Sequence, residues 1–305
     1  MNKYNLLVIL GPTASGKTSL AVKLARQLDG EVISADSRQV YRGLDIGSGK
    51  DLEEYQEIPY HLIDIVDPGY EYSVFDFQKG FYSAFEVINK NHNLPILAGG
   101  SALYVDSVLN GYRMIAAPEN ISLRKQLAEK SHQQLIEQLL ELKPKQHNTT
   151  DLKDTERLIR AIEIALAEQS AKATLPTLPK LSPLIIGIKW QREITRQRIT
   201  ARLKQRLDNG MLEEVQSLYD AGVSWKTLEF YGLEYRLIAQ YLQKQLSFND
   251  MYQKLNTAIH QFAKKQDSWL RRLEKQGHAI QWVDGQKDTY ESAISLLTEP
   301  VHNND

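Results

Sequence analysis

Short apolar runs alternate with amphipathic stretches along the first part of the chain. The apolar runs lie at residues 6–10, 31–34, 61–66 and 95–98. Between them, residues 17–28 and 74–91 carry apolar side chains three and four positions apart, the spacing of one helix face. Strands and helices in this alternation predict an α/β fold: a parallel sheet with crossover helices on both of its faces.

The pattern changes between residues 118 and 170. This segment is rich in Gln, Glu, Lys and Leu at helical spacing and offers no strand, so it predicts a small all-helical insertion. A loop with three prolines then leads to LIIGIKW, a further strand, and to helices, the longest at about 248–273. We therefore expect two domains: a core made of residues 1–117 and 171–305, and a helical insertion of residues 118–170.

Composition narrows the class of protein. None of the apolar runs approaches the roughly 20 residues that a membrane-spanning helix needs, so we expect no membrane partner. The 305 residues include no cysteine, which excludes disulfides, Cys-ligated zinc and a thiol nucleophile within this sequence. This composition is typical of a cytoplasmic protein.

The net charge of -1 gives no sign of nucleic-acid binding, but two local clusters are strongly basic. The first consists of Lys189, Arg192, Arg196, Arg198, Arg202, Lys204 and Arg206, with Glu193 as its one acid. The second consists of Lys264, Lys265, Arg271, Arg272 and Lys275. Charged helix faces are usually solvated, so either cluster alone is a weak indication of a polyanionic partner.

The stretch LGPTASGKTS directly follows the first strand. It matches G-x-x-x-x-G-K-[ST] between a strand and a helix, which is the setting that this phosphate-binding motif requires. Backbone amides, the Lys17 charge and a Mg²⁺ ion on the Thr18 hydroxyl are expected to hold a diphosphate or triphosphate. The predicted loop consists of Gly11, Pro12, Thr13, Ala14, Ser15, Gly16, Lys17 and Thr18.

Polar residues follow two other predicted strands. Asp36 comes after the second strand, so it is expected at the carboxyl edge of the sheet, beside the phosphate loop. An aspartate there can also be an ordinary turn or capping residue. Ser37 and Gln39 add hydrogen-bonding groups suited to a nucleobase edge, and PILAGGSAL brings Ser101 to the same place. Three strand ends are therefore predicted to meet at one cleft.

Several motifs in one order resemble the tRNA dimethylallyltransferase family over nearly the whole chain, to about residue 283. In addition to the phosphate loop, these motifs are ISADSRQVYRGLDIG, IPYHLIDIVDP, YSVFDFQKGF, PILAGGSALYV, DTERLIRAIEI, RITARLKQRLDNGMLEEV and QFAKKQDSWLRR. The resemblance implies a P-loop NTPase-like core and an insertion that clamps the anticodon arm of tRNA. It also implies that the loop holds the pyrophosphate of dimethylallyl diphosphate, whose prenyl group goes to N6 of the adenine 3′-adjacent to the anticodon.

Adenine N6 is a weak nucleophile, so the reaction needs a carboxylate to orient it and take its proton. Asp36 is the candidate, with Gln39 reading the base. The resemblance gives Arg202 the role of a pyrophosphate-binding arginine, and Ser101 stands where the family usually carries threonine. It implies tRNA contacts at Asp36, Ser37, Arg38, Gln39, Ser101, Arg124, Glu156, Arg157, Leu158, Ile159 and Arg160. We expect Mg²⁺ as the cofactor and a monomeric enzyme.

The sequence also departs from the family pattern. Gly232-Leu233-Glu234-Tyr235 stands where Gly-Tyr-Lys-Glu is usual, and His260 and Lys265 replace two arginines. Catalytic positions follow the family more closely than RNA-clamping ones. Two alternative hypotheses therefore stand beside tRNA prenylation: prenylation of free AMP, and a P-loop small-molecule kinase.

Overall fold

The computed structural model describes residues 4–144, 154–171 and 177–298. The chain divides into two compact units, one formed by the residues before Gly111 together with those after Pro179, the other by Gly111–Pro179. The predicted insertion, 118–170, lies within the second unit, which begins earlier and ends later than predicted. None of the helices in the described ranges is long and apolar enough to cross a membrane.

A parallel sheet of six strands forms the centre of the first unit. In their order across the sheet, the strands are β3 (Tyr60–His61), β2 (Gly30–Ala35), β4 (Leu94–Gly99), β1 (Leu6–Leu10), β5 (Pro183–Lys189) and β6 (Ile280–Asp284). Val8 of β1 pairs with Leu97 on one side and Ile185 on the other. All of β1 is buried, as expected of a central strand covered on both faces. The predicted α/β class, with a P-loop NTPase-like fold, is confirmed.

Most of the regular structure outside the sheet is helical. They are α1 (Lys17–Gln27), α2 (Val74–Lys90), α3 (Ala102–Leu109), α4 (Ile121–Ala128), α5 (His132–Leu142), α6 (Thr155–Ala171), α7 (Arg192–Asp208), α8 (Met211–Asp220), α9 (Trp225–Phe230), α10 (Leu233–Leu242), α11 (Phe248–Lys275) and α12 (Thr289–Thr298). Helices α4, α5 and α6 form the second unit around a small apolar core that includes Leu127, Leu135 and Leu158.

The strand prediction for residues 61–66 was wrong in extent. Only Tyr60–His61 forms a strand. Leu62 and Asp64 have φ values of 62° and 54°, which end the extended conformation. The chain returns to the loop that follows β2, where Val66 forms a single bridge with Tyr41. An ion pair with the buried Lys50 side chain holds Asp64 in this turn.

The buried Lys50 side chain anchors the loop after β2. Its side chain is 1% exposed and donates to the Tyr41 carbonyl at 2.7 Å and to Asp45 Oδ1 at 2.5 Å. A third hydrogen bond joins it to Asp64. Two carboxylates and a carbonyl together satisfy the buried ammonium group, because an unpaired buried charge would be costly. The loop and the turn after β3 are thereby joined.

Glu214 of α8 anchors the same loop from the other side. Its carboxylate accepts hydrogen bonds from the backbone N–H groups of Asp45 at 2.9 Å, Ile46 at 2.5 Å and Gly47 at 3.0 Å. The Tyr235 hydroxyl donates to it at 2.8 Å. A single side chain therefore satisfies three consecutive backbone donors that the loop itself cannot pair.

We expect Glu214→Ala to lower the free energy of unfolding by about 2 kcal/mol, since charge-assisted hydrogen bonds are among the stronger ones. Urea unfolding followed by tryptophan fluorescence measures this change. Glu213→Ala is the matched control, because the neighbouring Glu213 is exposed, and it should change stability by less than about 0.5 kcal/mol. Equal losses in the two variants would contradict the assignment.

Candidate functional site

The phosphate loop turns tightly between β1 and α1. Gly16 precedes α1 with φ 91°, and Ala14 has φ 61°. Both values lie in the left-handed region, which turns the chain back on itself. A Cβ atom on Gly11 would lie 2.7 Å from Ser15 Oγ, so a larger residue does not fit there. These residues shape the loop for an anion at the start of the helix.

Lys17 folds back over this loop. Its Nζ donates to the Pro12 carbonyl at 2.8 Å. Burial lowers the pKa of Lys17 to about 8, with repulsion from Arg202 adding to the effect and attraction to Asp36 partly opposing it. The lysine is thus a cation that titrates close to neutral pH.

Two side chains from the segment after β5 support the loop from outside. Trp190 donates from Nε1 to the Ser15 carbonyl at 3.0 Å, and Arg198 donates from Nε to the Ala14 carbonyl at 2.8 Å. The Arg198 guanidinium also lies 4.2 Å from the centre of the Trp190 ring, within the range of a cation–π interaction. Two loop carbonyls are thereby hydrogen-bonded outside the loop.

Gln266 of α11 also supports the phosphate loop. Its Oε1 accepts a hydrogen bond from the Thr13 N–H at 2.8 Å, and its Nε2 donates to the Gly100 carbonyl at 3.1 Å. The side chain is buried and joins the phosphate loop to the turn after β4. Sequence reasoning missed this residue as part of the site, although it lies within the quoted motif QFAKKQDSWLRR, because its partners are remote in sequence.

The ends of β2 and β4 also meet here, as predicted. The Ser37 N–H donates to Ser101 Oγ at 3.0 Å, and the Arg38 N–H donates to Asp36 Oδ1 at 2.8 Å. No hydrogen-bond partner of Asp36 Oδ2 occurs among the described residues. One carboxylate oxygen is therefore used for local structure, and the other is available.

Gln39 is buried beside them. Its Oε1 accepts from Ser34 Oγ at 2.8 Å, and its Nε2 donates to the Gly49 carbonyl at 3.0 Å. Both ends of the amide are thus used to hold the loop in place. These contacts give Gln39 a positioning role, and base reading by this residue stays a prediction.

Helix α7 supplies two arginines to the same region. Arg202 forms an ion pair with Asp51. Arg206 donates to the Gly47 carbonyl over 3.5 Å. Opposite them stands Glu234, where burial raises the pKa of the carboxyl and Arg206 opposes that shift. Glu234 stands at the position where the resembled pattern usually has a lysine. An acidic side chain therefore lies close to Arg206 where a second cation would be expected.

These groups share one cleft of about 710 Å³ in the first unit. The predicted residues that line it are Thr13, Lys17, Thr18, Asp36, Ser37, Arg38, Gln39, Ser101 and Arg202. Gly11, Pro12, Ala14, Ser15 and Gly16 are not among its lining residues and serve the backbone geometry of the loop. Lysines and arginines outnumber acids in the lining, so the cleft suits an anionic ligand.

Comparison with known proteins agrees with this arrangement. The sequence profile described as IPP transferase matches residues 39–273. The chain belongs to the IPP transferase family. It is 59% identical to tRNA dimethylallyltransferase 1 of Geotalea daltonii, over 97% of this chain and 95% of that protein. It is also 59% identical to tRNA dimethylallyltransferase 2 of Syntrophotalea carbinolica, over 96% of this chain and 98% of that protein.

Solved structures of the IPP transferase family share the fold. The tRNA isopentenylpyrophosphate transferase of Bacillus halodurans superposes with a TM-score of 0.70 at 31% identity, over 96% of this chain and 94% of that one. A eukaryotic dimethylallyltransferase, described as acting on tRNA, gives a TM-score of 0.79 over 95% of this chain and 77% of that one. At 24% identity, this second likeness concerns the fold alone.

In the second unit, two of the predicted tRNA-contacting arginines share one carboxylate. Arg124 forms a bidentate pair with Glu163, with distances of 3.0 and 2.9 Å, and Arg160 reaches the same carboxylate at 3.0 Å. The Glu163 side chain is 2% exposed, and its pKa is lowered by these hydrogen bonds against the effect of burial. The arginines therefore stabilise the unit, whether or not they also meet RNA.

The remaining predicted contacts of the IPP transferase insertion differ in exposure. Leu158 is fully buried in the core of the second unit, so its side chain serves packing. Ile159 is half-buried, whereas Glu156 and Arg157 are exposed. Of these four side chains, only the last two stand free at the surface of the unit.

We expect Gln266→Ala to weaken the binding of inorganic pyrophosphate about tenfold, because the partly buried Thr13 N–H loses its acceptor and the phosphate loop loses its support. Isothermal titration calorimetry measures the dissociation constant. Gln253→Ala, at an exposed position of the same helix, should leave it unchanged. Unaltered affinity in the Gln266 variant would show that the loop keeps its shape without this side chain.

The lowered pKa of Lys17 predicts a pH-dependent affinity. The ammonium group is charged below about pH 8 and neutral above it, so pyrophosphate binding should weaken about tenfold more between pH 7 and pH 9 than in Lys17→Ala. Comparison with this variant removes the titration of the ligand itself. Parallel pH profiles for the two proteins would contradict the predicted titration of Lys17.

Proposed function

We propose that the chain transfers a dimethylallyl group from dimethylallyl diphosphate to N6 of the adenine 3′-adjacent to the anticodon in tRNA. The observation that carries the proposal is the cleft, which joins a phosphate loop to a carboxylate with one available oxygen. The relatives named tRNA dimethylallyltransferase, at 59% identity over nearly their whole length, support this activity over the two alternatives.

The phosphate loop would receive the diphosphate. As the allylic C–O bond breaks, negative charge develops on the bridging oxygen of the leaving pyrophosphate. Lys17, Thr13 and Arg202 line the cleft, and the Lys17 ammonium, the loop amides and the Arg202 guanidinium would stabilise this charge. Donors that are already oriented stabilise a developing charge without reorganisation during the reaction.

Asp36 would orient the N6 amine of the acceptor adenine and accept its proton. The N6 lone pair forms the new C–N bond, and the amine loses one proton to the carboxylate as pyrophosphate leaves. Asp36 Oδ1 is held by the Arg38 N–H, which fixes the side chain and leaves Oδ2 to orient the amine. Ser101, whose Oγ accepts from the Ser37 N–H, stands beside it as a second hydrogen-bonding group.

The prenyl group needs an apolar surface away from water. Leu233, Ile259 and Phe262 line the same cleft as the charged groups. A five-carbon chain between these side chains would keep its developing allylic cation from reacting with water. Apolar and charged walls in a single cleft suit the two chemically different ends of dimethylallyl diphosphate.

We propose Mg²⁺ as the cofactor. Thr18 lines the cleft beside Lys17, and the described residues contain no group of three or more acidic, His or Cys side chains that could hold a metal alone. Mg²⁺ commonly binds through one or two protein oxygens together with substrate phosphates. Thr18 would hold the ion with the diphosphate, and the ion would neutralise charge on the leaving group.

The acceptor would be the anticodon arm, with the second unit contributing to its binding. Exposed Glu156 and Arg157 are the candidates there, whereas Arg124 and Arg160 are engaged by Glu163. The target adenine has to leave its stack to reach a carboxylate inside a cleft. We place the activity in the cytoplasm, where tRNA is found, and propose a monomer because one chain carries both the donor and the acceptor side of the cleft.

We expect Asp36→Asn to lower kcat by about 10²- to 10⁴-fold, because the amide cannot accept the N6 proton. Asparagine keeps an oxygen for the Arg38 N–H, so pyrophosphate affinity should stay within about twofold of wild type. The assay supplies radiolabelled dimethylallyl diphosphate and Mg²⁺ with unmodified anticodon-arm RNA or with AMP. Asp208→Asn, at an exposed position of α7, is the matched control.

The same assay separates the alternatives. Label that enters RNA in wild type and is lost in the Asp36 variant supports the proposal. Label that enters AMP alone would favour a free-nucleotide acceptor, and ATP turnover without prenyl transfer would favour a kinase. Full activity of Asp36→Asn would exclude this carboxylate as the base.

A further inference from the structure

The two basic clusters of the sequence meet in a second groove, which the proposed reaction does not use. This β6 groove has a volume of about 830 Å³ and is bordered by α7, α11 and the ends of β5 and β6. The first cluster contributes Lys189, Arg192 and Arg196, and the second contributes Lys264 and Arg271. Two charge runs far apart in the chain thus form one cationic surface.

The cations of the β6 groove are not neutralised by ion pairs. Lys189, Arg192, Arg196, Lys264 and Arg271 form none within the described residues. Two acids also line the groove, Asp267 and Glu274. Glu274 accepts a hydrogen bond from Trp282 Nε1 at 2.8 Å, and burial raises the pKa of Asp267 against the opposing effect of Arg271 and Lys189. The balance of charge therefore favours an anion.

The beginning of α7 adds to this field. Gln191 precedes the helix, and its side chain caps none of the first N–H groups. The first turn of a helix of this length carries a partial positive charge. Arg192, Thr195 and Arg196 of this turn and the next line the groove, so the positive end of the helix and two guanidinium groups lie together.

Aromatic and ring-nitrogen groups complete the groove. Trp282 is 37% exposed and offers an indole for stacking, an interaction that nucleobases use widely. His260 also lines the groove, and its Nδ1 is buried without a hydrogen-bond partner in the described structure. A flat aromatic surface beside unpaired cations is the combination that recognises a base together with its phosphate.

The β6 groove is separate from the reaction cleft. Helix α11 lies between them: Ile259, Phe262 and Gln266 line the cleft, whereas His260 and Asp267 line the groove. The phosphate loop divides in the same way, with Thr13 at the cleft and Pro12 at the groove. A ligand in the groove is therefore a second ligand and not the diphosphate of the proposed reaction.

We propose that the β6 groove binds a phosphorylated nucleotide, with its phosphate at Arg192 and Arg196 and its base against Trp282. The nucleotide is a free one, since an RNA strand in the groove would belong to the acceptor of the proposed reaction and is a contrary outcome of the test. This site goes beyond the proposed function and does not depend on prenyl transfer, since binding to the groove is measured directly.

The test compares wild type with Arg192→Ala/Arg196→Ala and, separately, with Trp282→Leu. One arm measures labelled ATP by equilibrium dialysis with saturating inorganic pyrophosphate, which occupies the phosphate loop. The other arm measures full-length tRNA and anticodon-arm RNA by filter binding over a range of salt concentrations. Lys204→Ala/Lys254→Ala, at exposed positions of the same two helices, is the matched control.

A free-nucleotide site predicts that the double-arginine variant and Trp282→Leu each weaken ATP binding at least tenfold, with the control at wild-type affinity. Weaker RNA binding with unchanged ATP binding would identify an RNA contact and would overturn the free-nucleotide site; for the double-arginine variant this outcome includes a salt slope smaller by about 1.4, or about 0.7 for each lost phosphate contact. Equal binding of both ligands by wild type and both variants would overturn the proposal. Failure of prenyl transfer in wild type would refute the proposed function without changing either binding result.

Discussion

The phosphate loop has to present backbone amides to an anion, and it depends on side chains from outside the loop to hold it in the required shape. The structure meets this constraint from three directions. Trp190 and Arg198 hold the Ser15 and Ala14 carbonyls, and Gln266 holds the Thr13 N–H. The loop is thus shaped before any ligand arrives, and the same contacts fix where α7 and α11 stand relative to the central strand.

The loop after β2 obeys a similar rule. It carries Asp36 and Gln39 into the cleft, yet it has little regular structure of its own. Buried Lys50 and the carboxylate of Glu214 supply the hydrogen bonds that a strand or helix would otherwise provide. Buried and hydrogen-bonded charged groups thus hold this irregular segment, and with it the Asp36 carboxylate, in a defined position.

Sequence reasoning succeeded where the determining interactions are local. The strand, phosphate loop and helix at the start of the chain follow from neighbouring residues, and the meeting of Ser37 with Ser101 follows from parallel strands ending at one edge. It was less successful where partners are distant. Beyond the short strand β3, Asp64 is hydrogen-bonded to Lys50 of a different loop. Arg124 is hydrogen-bonded to Glu163 in another helix. Gln266 was missed for the same reason, since both of its partners lie more than a hundred residues away.

Helix α11 is a wall shared by the reaction cleft and the β6 groove. A helix held along much of its length by buried apolar side chains, such as Leu255 and Leu270, moves as a rigid body and not residue by residue. If both ligands bind one position of α11 more tightly than another, each changes the affinity of the other, and thermodynamic linkage requires the two effects to be equal in free energy. The helix that separates the reaction cleft from the β6 groove is therefore also the element through which ligands in the two cavities would affect each other's binding.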